Sequence, residues 1–364
     1  MLKIFLWGTG QIAMQVMNQY NVTDHYNVIG FIDNDKNKQG EKFFGKIIYD
    51  PSILTKEKFD KIIILANKYN EIAKQIKEIL CGKTAVQIDN YKCFYKQSIL
   101  KRYENCNDEE IKKILNYIRE KDLEVFNYDF TDKYKDIKID VEYDARCSLY
   151  YVLHGDKRMY FAKSLDTVEK VEKYYKSILL EQDKESPNRY LSDEFDISEG
   201  DVVVDAGVAE GNFSLDIIEK VSKIFMIESD IEWIEALKET FKDYMEKIVI
   251  IPRYLTSMEE NECTTLDSVI EQPVDFIKMD IEGNEWDALL GAEKLINSSQ
   301  NLKCAICSYH SDFDEILIKD ILDKYGMECS ATSGYMWFPF TRRKSYVSTK
   351  LCRGIVRGIK KRNE

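Results

Sequence analysis

Apolar and polar positions along the chain switch repeatedly between two periods. In residues 1–95, short apolar, mostly β-branched runs (KIFLW, NVIGFID, KIIILA, AVQI) alternate with stretches where apolar residues recur every three or four positions. That interleaving predicts a small βαβ domain with a parallel sheet. Residues 107–125 open on an Asn/Asp cap, and Ile111, Ile114, Leu115 and Ile118 then share one helical face. This predicts a connecting helix within a linker over 96–136. SLYYVL and MYFAK flank HGDKR and predict a β-hairpin in 137–163, with a helix over 168–180. From Asp201 the alternation restarts with DVVVD, KIFMIE, KIVII, VDFIKMD and KCAICS, and helices are predicted from Asn212, Asp230, Asn284 and Asp312. MECSAT and YMWFPF, around an SG turn, predict a closing strand pair. The fold class is therefore α/β, with two Rossmann-like domains. The first spans 1–95 and the second 137–341, with 137–200 as its N-terminal extension.

Size and composition narrow the picture. A chain of 364 residues with 44% apolar content can fill two cores. It has no apolar run long enough to span a membrane and no export-type N-terminal segment, so a cytoplasmic protein is expected. A net charge of −12 argues against a nucleic-acid partner. Residues 342–364 run the other way, with nine Lys/Arg against the single acid Glu364. Leu351, Ile355 and Ile359 repeat every four residues there. This predicts a basic amphipathic tail that lies on an anionic membrane at its inner face, or docks on a partner. Nine cysteines show no pairing framework, and Cys304 and Cys307 form a C-x-x-C inside an apolar run with no second pair. They are expected to be reduced core residues.

Two glycine turns carry candidate chemistry. In VVVDAGVAEGNFS, Gly207 and Gly211 follow a strand that ends in Asp205, and Glu228 stands 23 residues beyond Asp205 at the end of the next strand. An acid at that position suits the two hydroxyls of a ribose. Asp205 and Glu210 in and before the turn repel a pyrophosphate, which needs bare amides at a helix N-terminus. They suit a cationic ligand such as S-adenosylmethionine (SAM). The other turn, GTGQIA, places Gly8 and Gly10 before a helix, with Asp33 23 residues past Gly10 and no acid inside the turn. A phosphate group is tolerable there.

DVVVDAGVAEGNFS, the acid of IES and the block TTLDSVIEQPVDFIKMDIEGNEWDALLGAEKLI together resemble the FkbM family of SAM-dependent methyltransferases, over roughly 180–340. The preceding EQDKESPNRYLSDEF resembles a glycan-associated branch. Ala206, Val208 and IES depart from the family pattern. The resemblance implies a class I methyltransferase fold for the second domain, with a mostly parallel seven-stranded sheet and a terminal antiparallel strand. It implies O-methylation of a sugar hydroxyl in bacterial surface-glycan biosynthesis, on a glycan that is nucleotide- or lipid-linked. Asp205, Gly207, Glu210, Gly211, Glu228 and Asp280 are the expected SAM residues. The first domain resembles the nucleotide-sugar-binding domains of bacterial sugar-modifying enzymes, so a nucleotide sugar or NAD(P) is expected at Gly8, Gly10 and Asp33, with a purely structural role as the alternative.

Transfer to an alcohol needs a proton acceptor beside the methyl group. His310, in SYHSD after a core strand, is the expected base, and Asp280 is the rival. Arg189 and Tyr190, just before the second domain's first strand, are expected to contact substrate. Asp280, Glu282 and Glu285 could hold a divalent ion, but Glu282 and Glu285 fit a helix N-terminus equally well, so no metal is expected. Two other functions stay open. One is a scaffold or sensor that binds nucleotides and SAM without turnover. The other is an NAD-dependent sugar-modifying enzyme, for which the Tyr-x-x-x-Lys pairs at Tyr117, Tyr134 and Tyr346 are poorly placed. Self-association is left open.

Overall fold

In the computed structural model of the protein, the described residues are 1–81, 86–339 and 347–360. The chain divides into two compact units, Met1–Glu124 with Pro339–Lys350, and Val125–Phe338 with Leu351–Glu364.

In the first unit, β1 (Lys3–Trp7), β2 (Asn27–Ile32), β3 (Lys42–Phe43), β4 (Lys46–Tyr49), β5 (Lys61–Ile64) and β6 (Gln87–Asn90) form one sheet in the order β3-β4-β2-β1-β5-β6. All pairings are parallel except the β3–β4 hairpin. Ile4 to Trp7 and Ile62 to Ile64 are buried on both faces, as central parallel strands require. The helix Glu109–Glu120 is capped by Asp108, whose side chain accepts from the amides of Glu110 and Ile111, a contact that stabilises a helix by about 1 kcal/mol. It buries the four expected isoleucine and leucine positions, but within the first unit. The expected linker over 96–136 is therefore not a separate body. Its residues through Glu124 belong to one unit and the rest to the other.

The second unit begins with β7 (Val141–Asp144), β8 (Leu149–His154) and β9 (Lys157–Tyr160), an antiparallel sheet that includes the expected hairpin. β10 (Val202–Ala206), β11 (Lys223–Ile227) and β12 (Ile248–Ile251) follow. β13 (Tyr254–Leu255) and β14 (Cys263–Thr264) make a small separate pair. β15 (Phe276–Met279), β16 (Lys303–Cys307), β17 (Met327–Ala331) and β18 (Ile355–Lys360) complete a seven-stranded sheet in the order β12-β11-β10-β15-β16-β18-β17. Only β18 runs antiparallel to its neighbours. One core packs Val203 and Phe276 with Val152, Met159, Phe161, Val171 and Ile178 of the N-terminal extension. The other face packs Val204, Ile277 and Val356 with Leu289 and Leu322.

The chain's end corrects two expectations. The closing strand pair is β17 with β18, not MECSAT with YMWFPF; Met336 makes only an isolated bridge to Cys352. The described part of the basic tail, 347–360, is not an amphipathic helix on a surface. Leu351, Ile355 and Val356 are buried, and β18 inserts between β16 and β17. Gly354 and Gly358 weaken a helix there, and Gly354 lies so close to Pro187 that a Cβ would stand 2.3 Å from its carbonyl oxygen. Arg342, Arg343, Lys344, Lys361 and Arg362 lie outside the described residues. No helix among the described residues is long and apolar enough to cross a membrane.

Candidate active site

The second glycine turn is built from below. Asp205 and Lys278 are partners in the β10–β15 register, so their side chains emerge on the same face of the sheet. Both are buried, and Lys278 Nζ lies 3.0 Å from Asp205 Oδ1. Ser214 donates to Asp205 Oδ2 at 2.7 Å, and Lys278 Nζ donates to the Gly207 carbonyl at 2.6 Å. Burial pulls the lysine's pKa down, but Asp205 and Asp280 outweigh it and hold it above the ordinary lysine value. The ion pair therefore anchors the turn without entering it. Gly207 has φ +73° and passes so close to the next strand that a Cβ would fall 1.7 Å from the Asp280 carbonyl oxygen. Ala209 is also left-handed, and Gly211 closes the turn in the same region before the helix Asn212–Ile217.

Above the turn, at the carboxyl ends of β10, β11 and β15, lies a cavity of about 500 Å³. Gly207, Glu228, Asp230, Trp233, Asp280 and Asn284 are among its lining residues. Glu228 is fixed by the backbone. Its Oε2 accepts from the Ala209 amide at 2.9 Å, and its Oε1 from the amides of Ser229 and Asp230 at 2.8 Å. Glu210 is buried behind the turn and accepts from Tyr174 of the extension at 2.9 Å, and burial raises its pKa. Burial and the neighbouring Asp280 and Glu210 also push Glu181, at the end of the helix Val168–Glu181, up to about 8.

Asp280 follows β15 directly, and His310 lies three residues past β16, its neighbour in the sheet. Asp280 Oδ2 accepts from Tyr190 at 3.1 Å and Tyr309 at 3.0 Å. The imidazole of His310 is buried, with Nε2 3.5 Å from Asp280 Oδ1 and 3.8 Å from Glu282 Oε2, and Nδ1 3.3 Å from Glu285 Oε1. Burial works against its charge, but the carboxylates of Glu285, Asp280 and Glu282 prevail and raise its pKa from 6.5 to about 9. A pKa raised in this way favours the protonated ring, whereas the base expected of His310 is a free imidazole. The folded-state value is raised, so the added stability is complete below about 6.5 and is lost as pH rises through about 9. An NMR titration of His310 in chelator-treated protein should give a midpoint near that upper value. A midpoint at the ordinary value would mean that the carboxylates are not in place.

Residues 251–327, which supply the cavity wall from Arg253 to Asn284 as well as Asp280 and His310, match the family model of the methyltransferase FkbM domain. The chain is a SAM-dependent methyltransferase. Residues 1–87 match the model described as C2185-like, N-terminal. No curated protein matches the chain in sequence. Among solved structures, the FkbM methyltransferase of Methylobacillus flagellatus KT aligns at 16% identity and TM-score 0.45, over 98% of this chain and 90% of that one. The magnesium protoporphyrin IX methyltransferase of Synechocystis PCC 6803, with bound SAH, aligns at 14% identity and TM-score 0.30, over 45% of this chain and 75% of that one.

In this methyltransferase, Gly207, Glu228 and Asp280 meet at the cavity, whereas Asp205 and Glu210 sit beneath and behind the turn. Tyr190 is buried with its hydroxyl on Asp280. Arg189 does not line this cavity; its carbonyl accepts from Arg357. Sequence reasoning missed Lys278, Tyr174, Tyr309 and Glu181. Only Lys278 carried a signal, as a lone lysine in the apolar strand run FIKM. In the first unit, Asp33 does for GTGQIA what Glu228 does for the second turn. It accepts from the Thr9 amide at 3.1 Å, from the Thr9 hydroxyl and from the Asp35 amide at 3.0 Å. Gly8 is left-handed, and Gly10 caps the helix Gln11–Gln19.

Proposed function

We propose that this methyltransferase transfers the methyl group of SAM to a hydroxyl of a sugar during assembly of a bacterial surface glycan. The observation that carries the reading is the cavity with a backbone-fixed acid, Glu228, on one side and Asp280 on the other. The close approach of Gly207 to Asp280 leaves the turn bare, as a ligand lying against backbone requires. We assign the ribose hydroxyls to Glu228, whose oxygens keep lone pairs beyond their amide bonds, and the turn Gly207–Gly211 to the donor's nucleoside. When bound, SAM supplies an electrophilic methyl group on a sulfonium sulfur. Asp280 is the group we assign to accept the hydroxyl proton, because it lines the cavity and two tyrosine hydroxyls hold it in one orientation. Negative groups around this end favour a neutral, hydroxyl-bearing acceptor over a carboxylate or phosphate. For the first unit, a nucleotide sugar or NAD(P) at Gly8, Gly10 and Asp33 is the companion assignment.

The test is a methylation assay with labelled SAM on nucleotide-linked, lipid-linked and free sugars, with products read by mass spectrometry. O-methylated sugar is expected from at least one class. Label that goes only to protein, nucleic acid or a carboxylate acceptor would overturn the assignment.

A further inference from the structure

The group Asp280, Glu285 and His310 has a property that acid–base catalysis does not use. One potential ligand atom from each residue lies within 4.8 Å of the others. Ligands held 2.0–2.2 Å from a shared cation stand roughly 3–4 Å apart, so small side-chain movements would close this set around an ion. The His310 side chain is only 5% exposed, and its Nδ1 is buried with no hydrogen-bond partner. It faces Glu285 Oε1 at 3.3 Å, but off the line that a hydrogen bond needs. A buried imidazole nitrogen left without a partner is costly unless something else satisfies it.

The surroundings are already arranged as a cation site demands. Glu285 is 1% exposed, and its Oε1 is oriented by the amides of Ile281 at 2.9 Å and Gly283 at 3.2 Å. Asp280 is oriented by Tyr190 and Tyr309. Such outer contacts fix ligating carboxylates in metal sites. Glu282, held in a left-handed conformation at φ 57°, adds a third carboxylate at the rim. Backbone strain retained at one residue of such a cluster is a feature of functional sites. The local charge of three acids against one imidazole is negative whichever form the ring takes.

We propose that Asp280, Glu285 and His310 bind a divalent cation of the transition-metal class, with Glu282 at its open side. One imidazole nitrogen with carboxylate oxygens suits Mn²⁺, Fe²⁺ or Zn²⁺ better than an all-oxygen ion such as Mg²⁺ or Ca²⁺. The site departs from the expectation of no metal, which rested on Glu282 and Glu285 fitting a helix N-terminus equally well. Its role rests on the proposed function. With the acceptor beside Asp280, the cation stands where a sugar hydroxyl can become a further ligand, and it lightens the demand on Asp280 as proton acceptor.

The full-length protein, stripped with chelator and dialysed, is titrated with Mn²⁺, and free Mn²⁺ is read by electron paramagnetic resonance. Binding of one Mn²⁺ per chain is expected, with pulsed measurements showing coupling to an imidazole nitrogen in the unmutated protein. His310→Ala and Glu285→Gln should each weaken binding at least about tenfold. The nitrogen coupling keeps the test decisive even if a variant fails to fold. No Mn²⁺ binding, or bound Mn²⁺ with no nitrogen coupling, overturns the site. Calorimetry with SAM on the same stripped protein separates the two proposals. SAM binding without Mn²⁺ binding removes the cation and leaves the methyltransferase assignment, and Mn²⁺ binding without SAM binding does the reverse.

Discussion

Gly207→Ala should abolish SAM binding and destabilise the second unit by on the order of 4 kcal/mol or more, among the largest effects a single methyl group can have. Two causes act together. The backbone at Gly207 is left-handed, which costs a residue with a side chain about 1 kcal/mol or more. The added Cβ would also fall 1.7 Å from the Asp280 carbonyl oxygen, so β10 and β15 would have to part where the site is built. Backbone on both sides leaves no flexible side chain to yield. Chemical denaturation followed by circular dichroism, with SAM calorimetry alongside, checks both parts. A stable Gly207→Ala protein that binds SAM normally would show that the turn does not have this geometry.

Lys278→Met should cost about 3–5 kcal/mol, because it leaves Asp205 charged, buried and uncompensated. The lysine also holds the Gly207 carbonyl, so SAM affinity should fall with stability. Asp205→Asn alone should destabilise for the mirror reason, by stranding a buried ammonium. The double variant Asp205→Asn with Lys278→Met should lose clearly less than the sum of the single losses, because neither charge is then left alone. Additive losses would mean that the two side chains do not depend on each other in the folded protein.

Much of this architecture could be read in the sequence, and the failures have identifiable physics. The strands of both units stood out because central parallel strands are buried on both faces and read as continuous β-branched runs. The two glycine turns were equally plain, since their positions follow from strand ends. β18 was misread because a spacing of four residues satisfies both periods. Leu351, Ile355 and Ile359 share one face of a helix, but they also share one face of a strand. Only Gly354, Gly358 and the β-branched Ile355 and Val356 favoured the strand, and partners in β16 and β17 settled it.

The site divides in the same way. Asp280, Glu282 and Glu285 lie within six residues of one another, so their clustering was visible. The arrival of His310 among them depends on β15 and β16 being neighbours. Its raised pKa comes from the same packing, because the three carboxylates brought to it outweigh burial. Lys278 pairs with Asp205 only through strand register, which no local pattern encodes. Arg189 and Tyr190 are adjacent in sequence, yet only Tyr190 reaches Asp280.

The central claim is that the methyl donor binds at the second glycine turn and not at the first, although each turn is clasped by an acid from the end of the next strand. Calorimetric titration of SAM into the unmutated protein, Glu228→Ala and Asp33→Ala tests it most directly. One SAM per chain is expected, with affinity at least about tenfold weaker in Glu228→Ala, the scale of one hydrogen bond to a charged group. Asp33→Ala should bind SAM as the unmutated protein does. Loss of SAM binding in Asp33→Ala, or full affinity in Glu228→Ala, would contradict the claim.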